Sequence, residues 1–448
     1  MGVYLLLVVG VATALTDAVA ACTAWPACGA GWSLPTTTDG WIAFGHRLVA
    51  VVVGVGVVVS AIAVLRADAR RRVRLAVVVA LLIYPAQAGL GAVVATTGGT
   101  DQLSVVHLLA GVTIFGSLLA ALTWRLEAET GDPDDVPSGS LEPAAPLDPD
   151  SRPPVPTEPI KRTKATLFAY FRLMKPRLMW LLCLVAAAAM ALAGGPGLTP
   201  YVVGATLAGG ALSIGASGTF NHILERDVDR RMARTSDRPL ATDLVPLGNA
   251  VVFGLLLTAL SVGLFATVNL LTAALGVVAI LFYSVIYTLI LKPNTVQNTV
   301  LGGAAGALPA LIGWAAVTGS IGVGGLLLAA FIFWWTPAHF YSLALAYKDD
   351  YERGGFPMLP VVYGETATRR HILWYFGATL ATAAGLAATD TLGWLYVVTT
   401  VGLGAVFLWF VVRLHYEQTE GAAFRSFHAS NAYLGTVLLA IVIEGLVL

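Results

Sequence analysis

The sequence predicts an all-α integral membrane protein built as a four-helix bundle followed by a nine-helix bundle. Composition is the first reason: 57% of residues are hydrophobic and only 12% are charged. The second is a recurrence of apolar runs near the ~20 residues that cross a bilayer as a helix. The third is a single interruption, 127–159, with nine prolines and nine acids against one basic residue, Arg152.

Taken in order, the runs 3–20, 43–65, 75–95 and 104–124 make a first module, 1–126. The opening run leads into Ala20-Ala21-Cys22 like a secretory signal, yet no basic residue precedes it, so it is read as a helix of the fold. The segment 127–159 cannot bury enough apolar surface to fold, and its acids repel one another, which predicts a disordered, extended linker. Nine further runs make a second module, 160–448: 178–195, 200–219, 246–266, 270–290, 299–318, 322–344, 371–389, 392–413 and 429–448. The 47 glycines suit helices that pack closely in lipid.

A formal net charge of zero gives no pointer to partners, and no nucleic-acid partner is expected. The placement of charge is more informative. Basic residues gather at Arg66–Arg74, Lys161–Arg177, Arg226–Arg238, Lys292, Lys348–Arg353, Arg369/Arg370, and Arg413 with Arg425. The opposite loops hold no Lys or Arg apart from Arg47. The positive-inside rule makes the basic side cytoplasmic. The expectation is a multi-pass cell-membrane protein with its N-terminus outside and its charged motifs on the cytoplasmic side.

The densest of those motifs is 221–234, where three acids and four arginines interrupt the apolar pattern. Charge at the mouth of a membrane bundle is costly and marks function. On a helix, Asn221, Glu225 and Asp229 recur at i, i+4 and i+8 and share one face. Stacked oxygen ligands of this kind suit Mg²⁺ held together with substrate phosphates. The interleaved Arg226, Arg230, Arg231 and Arg234 can clamp phosphate oxygens. The bland alternative is a basic juxtamembrane loop that touches anionic lipid.

Further polar islands share this side. Lys175-Pro176-Arg177 opens a helix whose positive dipole end favours an anion. Thr235 to Leu240 continues the first motif, and Lys292 to Asn298 follows the run 270–290. The loop Tyr347 to Val361 carries the adjacent acids Asp349 and Asp350, which can hold a second Mg²⁺ or simply belong to a charged loop.

These residues resemble the intramembrane prenyltransferases, and within them the branch that farnesylates protohaem IX, over essentially all of 165–448. The superfamily motif Asn-x-x-x-Asp-x-x-x-Asp is matched by Asn221, Glu225 and Asp229, with Glu where Asp is usual. The second acidic loop is matched by Asp349/Asp350. Arg353 and Gly354 stand where a later acid is common, as is typical of the haem branch. Asp350 to Val362, Arg234 to Pro239, Gly302 to Pro309, and Trp335-Thr336-Pro337-Ala338-His339-Phe340 also match that branch. Pro293 replaces a common basic residue.

The resemblance implies a reaction: farnesyl passes from farnesyl diphosphate to a vinyl group of haem b, giving haem O. It implies catalytic roles for Asn221, Glu225, Asp229 and Asp350. Mg²⁺ is expected on Asn221, Glu225, Asp229, Asp349 and Asp350. Diphosphate is expected on Lys175, Arg177, Arg226, Arg234, Arg238, Lys292 and Asn298. His339 is expected either at haem or as a satisfied structural donor, and Tyr287 and Trp335 either as cation shields or as packing. The alternatives are a prenyltransferase acting on a quinone or lipid acceptor, and a non-catalytic haem carrier or assembly factor.

In the first module, Cys22 and Cys28 lie in an outer loop and read as a disulfide or redox pair. His46 and His107, each near the outer end of a run, make a credible bis-His haem site. The stretch 20–125 resembles one four-helix half of the haem A synthases, through Cys22-x-x-Trp25-Pro26-x-Cys28, Trp41 to Arg47 and Val106 to Ala110. Full-length members carry four haem-ligating histidines, so a homodimer would restore the set. Ala43 stands where a Glu is common. The module is expected to bind haem b, to oxidise it or to pass it on, or else to be a vestige, with a haem A synthase or terminal oxidase assembly factors as partners.

Overall fold

The computed structural model describes the chain except residues 16–17, 23, 30–32, 98–100, 134, 136–140, 148–157, 388–390 and 448. The described residues contain helices and no strand. Among the described residues, eleven helices are long and apolar enough to cross a membrane by length and composition, so the protein is a multi-pass membrane protein.

The chain divides into two compact units, Met1–Asp132 with Leu373–Glu417, and Pro133–Ile372 with Gln418–Leu448. These boundaries differ from 126 and 160, because 373–417 packs with the N-terminal helices. The Tyr4 and Thr400 hydroxyls lie 3.0 Å apart, and the Trp124 and Trp374 rings meet edge to face at 6.3 Å. Hydropathy marks such a segment as a membrane span but does not say which bundle it joins.

In the first unit, the helices Gly2–Leu15, Thr38–Arg66, Arg71–Thr97 and Asp101–Thr130 share a core of Val3, Val57, Ala80 and Ile114. Thr37 caps the second of them by accepting the Gly40 N–H at 3.1 Å. Gly2–Leu15 runs antiparallel to Thr38–Arg66. A Cβ on Gly2 would meet Val53 at 3.2 Å, and one on Gly10 would meet His46 at 3.1 Å. Met1 therefore lies opposite the middle of that helix, near Val53, and Cys22 toward its Thr38 end.

The second unit holds the helices from Pro159–Leu173 to Val323–Ala346 and closes with Glu420–Val447. Helix Pro176–Ala193 is packed at backbone distance on two sides. A Cβ on Gly313 would lie 2.3 Å from the Ala186 carbonyl, and one on Gly445 would lie 2.6 Å from the Ala191 carbonyl. Small residues permit that approach where lipid offers no hydrophobic drive. The run 270–290 is α-helical to Leu281 and then widens into a π-helix, Phe282–Leu291. Such widening is common at functional sites.

Part of 127–159 differs from the disordered linker expected of its composition. Its described residues are tied to the second unit. The Ala144 N–H donates to the Arg353 carbonyl at 3.0 Å, and the Leu147 N–H to the Arg230 carbonyl at 2.9 Å. Leu141 packs with Met232, Tyr351, Phe356 and Met358. Asp135 accepts the N–H groups of Glu365 and Thr366 at 3.0 and 2.6 Å. Backbone pairing to neighbours distant in sequence holds this Pro-rich strap, and composition carries no sign of that. The rest of the segment lies outside the described residues.

Candidate functional site

Helix Pro200–Leu224 ends where the motif begins, and a short helix, Arg226–Asp229, continues after Glu225. Backbone bonds from Glu225 N–H to Asn221 carbonyl (2.9 Å) and from Asp229 N–H to Glu225 carbonyl (2.8 Å) keep the four-residue stacking across the break. Asn221, Glu225 and Asp229 are all buried, at 2%, 6% and 2% exposure. The one-face expectation therefore survives an interruption of the helix.

Three cations close on this row. Lys175 sits at the N-terminus of Pro176–Ala193 with φ 54°, a left-handed conformation that is strained for a residue with a Cβ. Its ammonium donates to Asn221 Oδ1 and, at 3.2 Å, to the Tyr283 hydroxyl. A Cβ on Gly218 would lie 2.8 Å from the Leu173 carbonyl, so only glycine admits this turn. Lys292 Nζ donates to Glu225 Oε1 at 2.5 Å. Arg238 Nη1 donates to both Asp229 oxygens at 2.8 and 2.9 Å and lies 3.7 Å from Glu225 Oε2. The second Asn221 group, its amide N–H, donates to Thr288 Oγ1 at 3.1 Å.

Burial opposes ionisation of Glu225, but Lys292, Lys175 and Arg238 outweigh it and hold its carboxyl below the usual range. At Asp229, burial together with the Glu225 charge outweighs Arg238 and pushes the carboxyl up. Among the described residues no three His, Cys, Asp or Glu side chains are grouped as a metal cage. The donor set is two carboxylates and one amide oxygen, now engaged by cations. It fits a hard divalent ion that arrives with phosphate, because the same cations can move onto phosphate oxygens.

The other expected site residues divide. Arg234 lies over the Tyr347 and Tyr351 rings at 4.8 and 5.0 Å, with its Nε buried and unpaired. Arg226 pairs with Asp227 at 3.4 Å, away from the buried row, and Arg177 is exposed. Asn298 donates to the Lys292 carbonyl at 3.4 Å and accepts from the Thr299 hydroxyl at 2.9 Å, which fixes the loop that carries Lys292.

Asp350 is buried. Its Oδ1 accepts the Ala233 N–H at 2.7 Å and its Oδ2 accepts the Arg234 N–H at 3.1 Å, so both oxygens are engaged by backbone. Asp349 is exposed. His339 is buried. Its ring is stacked between Trp335 (4.3 Å) and Phe427 (4.4 Å), and Nδ1 shares a 2.6 Å hydrogen bond with Ser430. Trp335 donates to the Ser430 carbonyl at 3.1 Å.

Tyr283, Thr288 and Phe356 are contributors that the motif search missed. Tyr283 and Thr288 lie on one face of the π-helix with Tyr287, and Phe356 faces Lys292 Nζ at 4.3 Å from its ring centre. Polar and aromatic residues at 283, 287 and 288 within an apolar run were the available signal. Lys175 and Tyr283 also line a narrow, largely apolar cavity that runs between Pro176–Ala193, Pro200–Leu224 and Asn298–Thr318. The charged row thus opens directly onto an apolar channel.

In the first unit, Cys22 and Cys28 are disulfide-bonded. Arg47 braces that loop, donating to the Ala24 and Ala27 carbonyls at 2.7 and 2.6 Å. His46 and His107 line one cavity of about 780 Å³, with Arg47, Tyr84 and Gln87. The Nδ1 of each ring is buried and unpaired. Gly10 faces His46, and Gly91 faces His107, each at 3.1 Å from where a Cβ would stand to the ring Cε1.

The UbiA prenyltransferase family matches residues 181–435, and a cytochrome oxidase assembly protein family matches 35–145. A protoheme IX farnesyltransferase of Haloquadratum walsbyi is 62% identical over 458 residues, covering all of this chain and 95% of that protein. One from Haloarcula marismortui is 61% identical over 450 residues, covering all of this chain and 97% of that protein. One from Saccharopolyspora erythraea is 42% identical over 68% of this chain and 97% of its own length. Among solved structures, a digeranylgeranylglyceryl phosphate synthase superposes with TM-score 0.53 at 15% identity, over 63% of this chain and 100% of that one.

Proposed function

The chain belongs to the UbiA prenyltransferase family, and from that premise we propose that it transfers farnesyl from farnesyl diphosphate to a vinyl group of protohaem IX, giving haem O. The observation that carries the site assignment is the buried row Asn221, Glu225 and Asp229, knit to Lys175, Arg238 and Lys292 where an apolar channel begins. Three cations face two carboxylates there, an excess suited to a diphosphate.

Asn221, Glu225 and Asp229 would hold Mg²⁺, which supplies charge neutralisation on the departing diphosphate. Lys175, Lys292 and Arg238 bind the diphosphate oxygens and strengthen their hold as charge builds there, so they favour the transition state over the ground state. The channel walls hold the isoprenoid chain and exclude water from the allylic centre. Tyr283 and Tyr287 stand at the junction, with ring centres 5.5 Å apart.

The decisive variant is Glu225→Ala with Asp229→Ala. It is expected to abolish Mg²⁺-dependent formation of haem O, identified by mass in membranes supplied with haem b and farnesyl diphosphate and normalised to the folded protein recovered from them. Retained product would refute the assigned site. A product on a quinone or lipid acceptor, with haem untouched, would replace the acceptor.

The first unit is proposed to bind haem through His46 and His107, which line a shared cavity. A bis-His optical spectrum that survives His46→Ala and His107→Ala would refute this. The orientation is proposed with the basic loops and the charged row cytoplasmic. Helix Gly2–Leu15 is antiparallel to Thr38–Arg66. The disulfide loop then faces outward.

A further inference from the structure

We propose that Gly210 and the residues beneath it act as a ruler that fits the channel to a fifteen-carbon isoprenoid. This deepens the prenyl-transfer function and rests on it. On helix Pro200–Leu224 the lining runs from Gly218 at the charged mouth to Thr206. At 1.5 Å per residue those twelve steps cover about 18 Å. On the facing helix the lining from Lys175 to Ala186 covers about 16 Å by the same rise. Thr206, Ala186 and Ile312 close the far end, at 0%, 5% and 4% exposure. The Thr206 hydroxyl is buried there without a hydrogen-bond partner.

An extended chain advances roughly 1.2 Å per bond, the value implied by an extended polypeptide. A C15 chain, with eleven main-chain bonds, then reaches about 13 Å, a C10 chain about 8 Å and a C20 chain about 18 Å. Gly210 and Cys183 both lie about 12 Å from the mouth by helix rise, at the depth of the third isoprene unit. A Cβ built on Gly210 meets nothing within 4 Å, so the space beside it is open. Cys183, the one free cysteine, lines the same channel. C15 therefore fills the channel to the Gly210 level, C10 leaves that level empty, and C20 takes up the whole length and presses on the floor at Thr206, Ala186 and Ile312.

Two measurements test this. In the unaltered protein, a non-reactive thio analogue of C15 diphosphate is expected to shield Cys183 from a membrane-permeant maleimide, and the C10 analogue is not. For turnover, Gly210→Leu is expected to lower the C15-to-C10 ratio of kcat/KM at least about tenfold, and Ile312→Ala to raise C20 use by a similar factor, the scale of one pocket alkyl group. Equal shielding by C10 and C15 would overturn the ruler, as would an unchanged chain-length order in both variants. If no isoprenoid diphosphate shields Cys183 or turns over in the unaltered protein, the prenyl-transfer function itself falls along with it.

Discussion

Asp350→Asn separates a metal ligand from a positioning residue. The Asp350 carboxylate accepts two backbone N–H groups, from Ala233 and Arg234, and is 8% exposed. That pair clamps the 226–245 loop to helix Lys348–Arg353 and seats the Arg234 guanidinium over Tyr347 and Tyr351. Hydrogen bonds to a charged group contribute about 1.5–3 kcal/mol each. Asparagine keeps one acceptor but turns an NH₂ toward the second N–H, so one bond is lost and a donor is left facing a donor. A loss of about 2–3 kcal/mol in seating Arg234 corresponds to roughly 30–140-fold in turnover, at about 1.4 kcal/mol per tenfold. The assay is the initial rate of haem O formation across a Mg²⁺ titration. We expect kcat to fall by that factor while the Mg²⁺ concentration for half-maximal rate stays where it was. If excess Mg²⁺ restores kcat and the half-maximal point moves tenfold or more, Asp350 is a ligand and the positioning role is refuted.

Three further outcomes follow from the same contacts. Lys292→Met leaves Glu225 buried without its nearest partner, and the loss of one member of a buried ion pair costs about 3–5 kcal/mol. The thermal midpoint in detergent should therefore fall, and Lys292→Met combined with Glu225→Gln should recover most of it without recovering turnover; a double variant as unstable as the single would contradict the pairing. In the metal-free protein, Asp229 should take up its proton before Glu225 as pH falls, since its carboxyl is raised and that of Glu225 is lowered. Glu225→Gln removes a charge that raises Asp229, so the protonated-carboxyl infrared band assigned to Asp229 should appear at lower pH; an upward move would reverse the sign. Gly91→Val places a side chain against His107, 3.1 Å from its Cε1 at the Cβ alone, and should weaken any haem spectrum of the first unit severalfold. An unaltered spectrum would mean that His107 is not a ligand.

The charged row was legible because it breaks a rule. Acids at four-residue spacing inside a membrane chain have few bland explanations, and the spacing survives even where the helix does not, through the Asn221–Glu225–Asp229 backbone bonds. The apolar runs were legible for the same local reason: bilayer crossing depends on length and hydropathy alone. What stayed hidden depends on competition for lone pairs and on who packs against whom. Asp350 looked like a ligand because a carboxylate in an acidic loop is counted by its charge. Whether its oxygens are free is decided by the amides of Ala233 and Arg234, more than a hundred residues earlier. His339 looked available until Trp335, Phe427 and Ser430 enclosed it. The Pro-rich strap reads as unfolded by composition, yet two of its backbone N–H groups are satisfied by the carbonyls of Arg230 and Arg353, on the two loops that carry the site. Each of these is a fact about partners rather than about residues. A sequence names the chemical groups that can bind metal, phosphate or haem. Packing then decides which of them meet, and here it gathers Asn221, Glu225 and Asp229 at the channel mouth, while Asp350 holds the backbone of Ala233 and Arg234 and His339 stacks between Trp335 and Phe427.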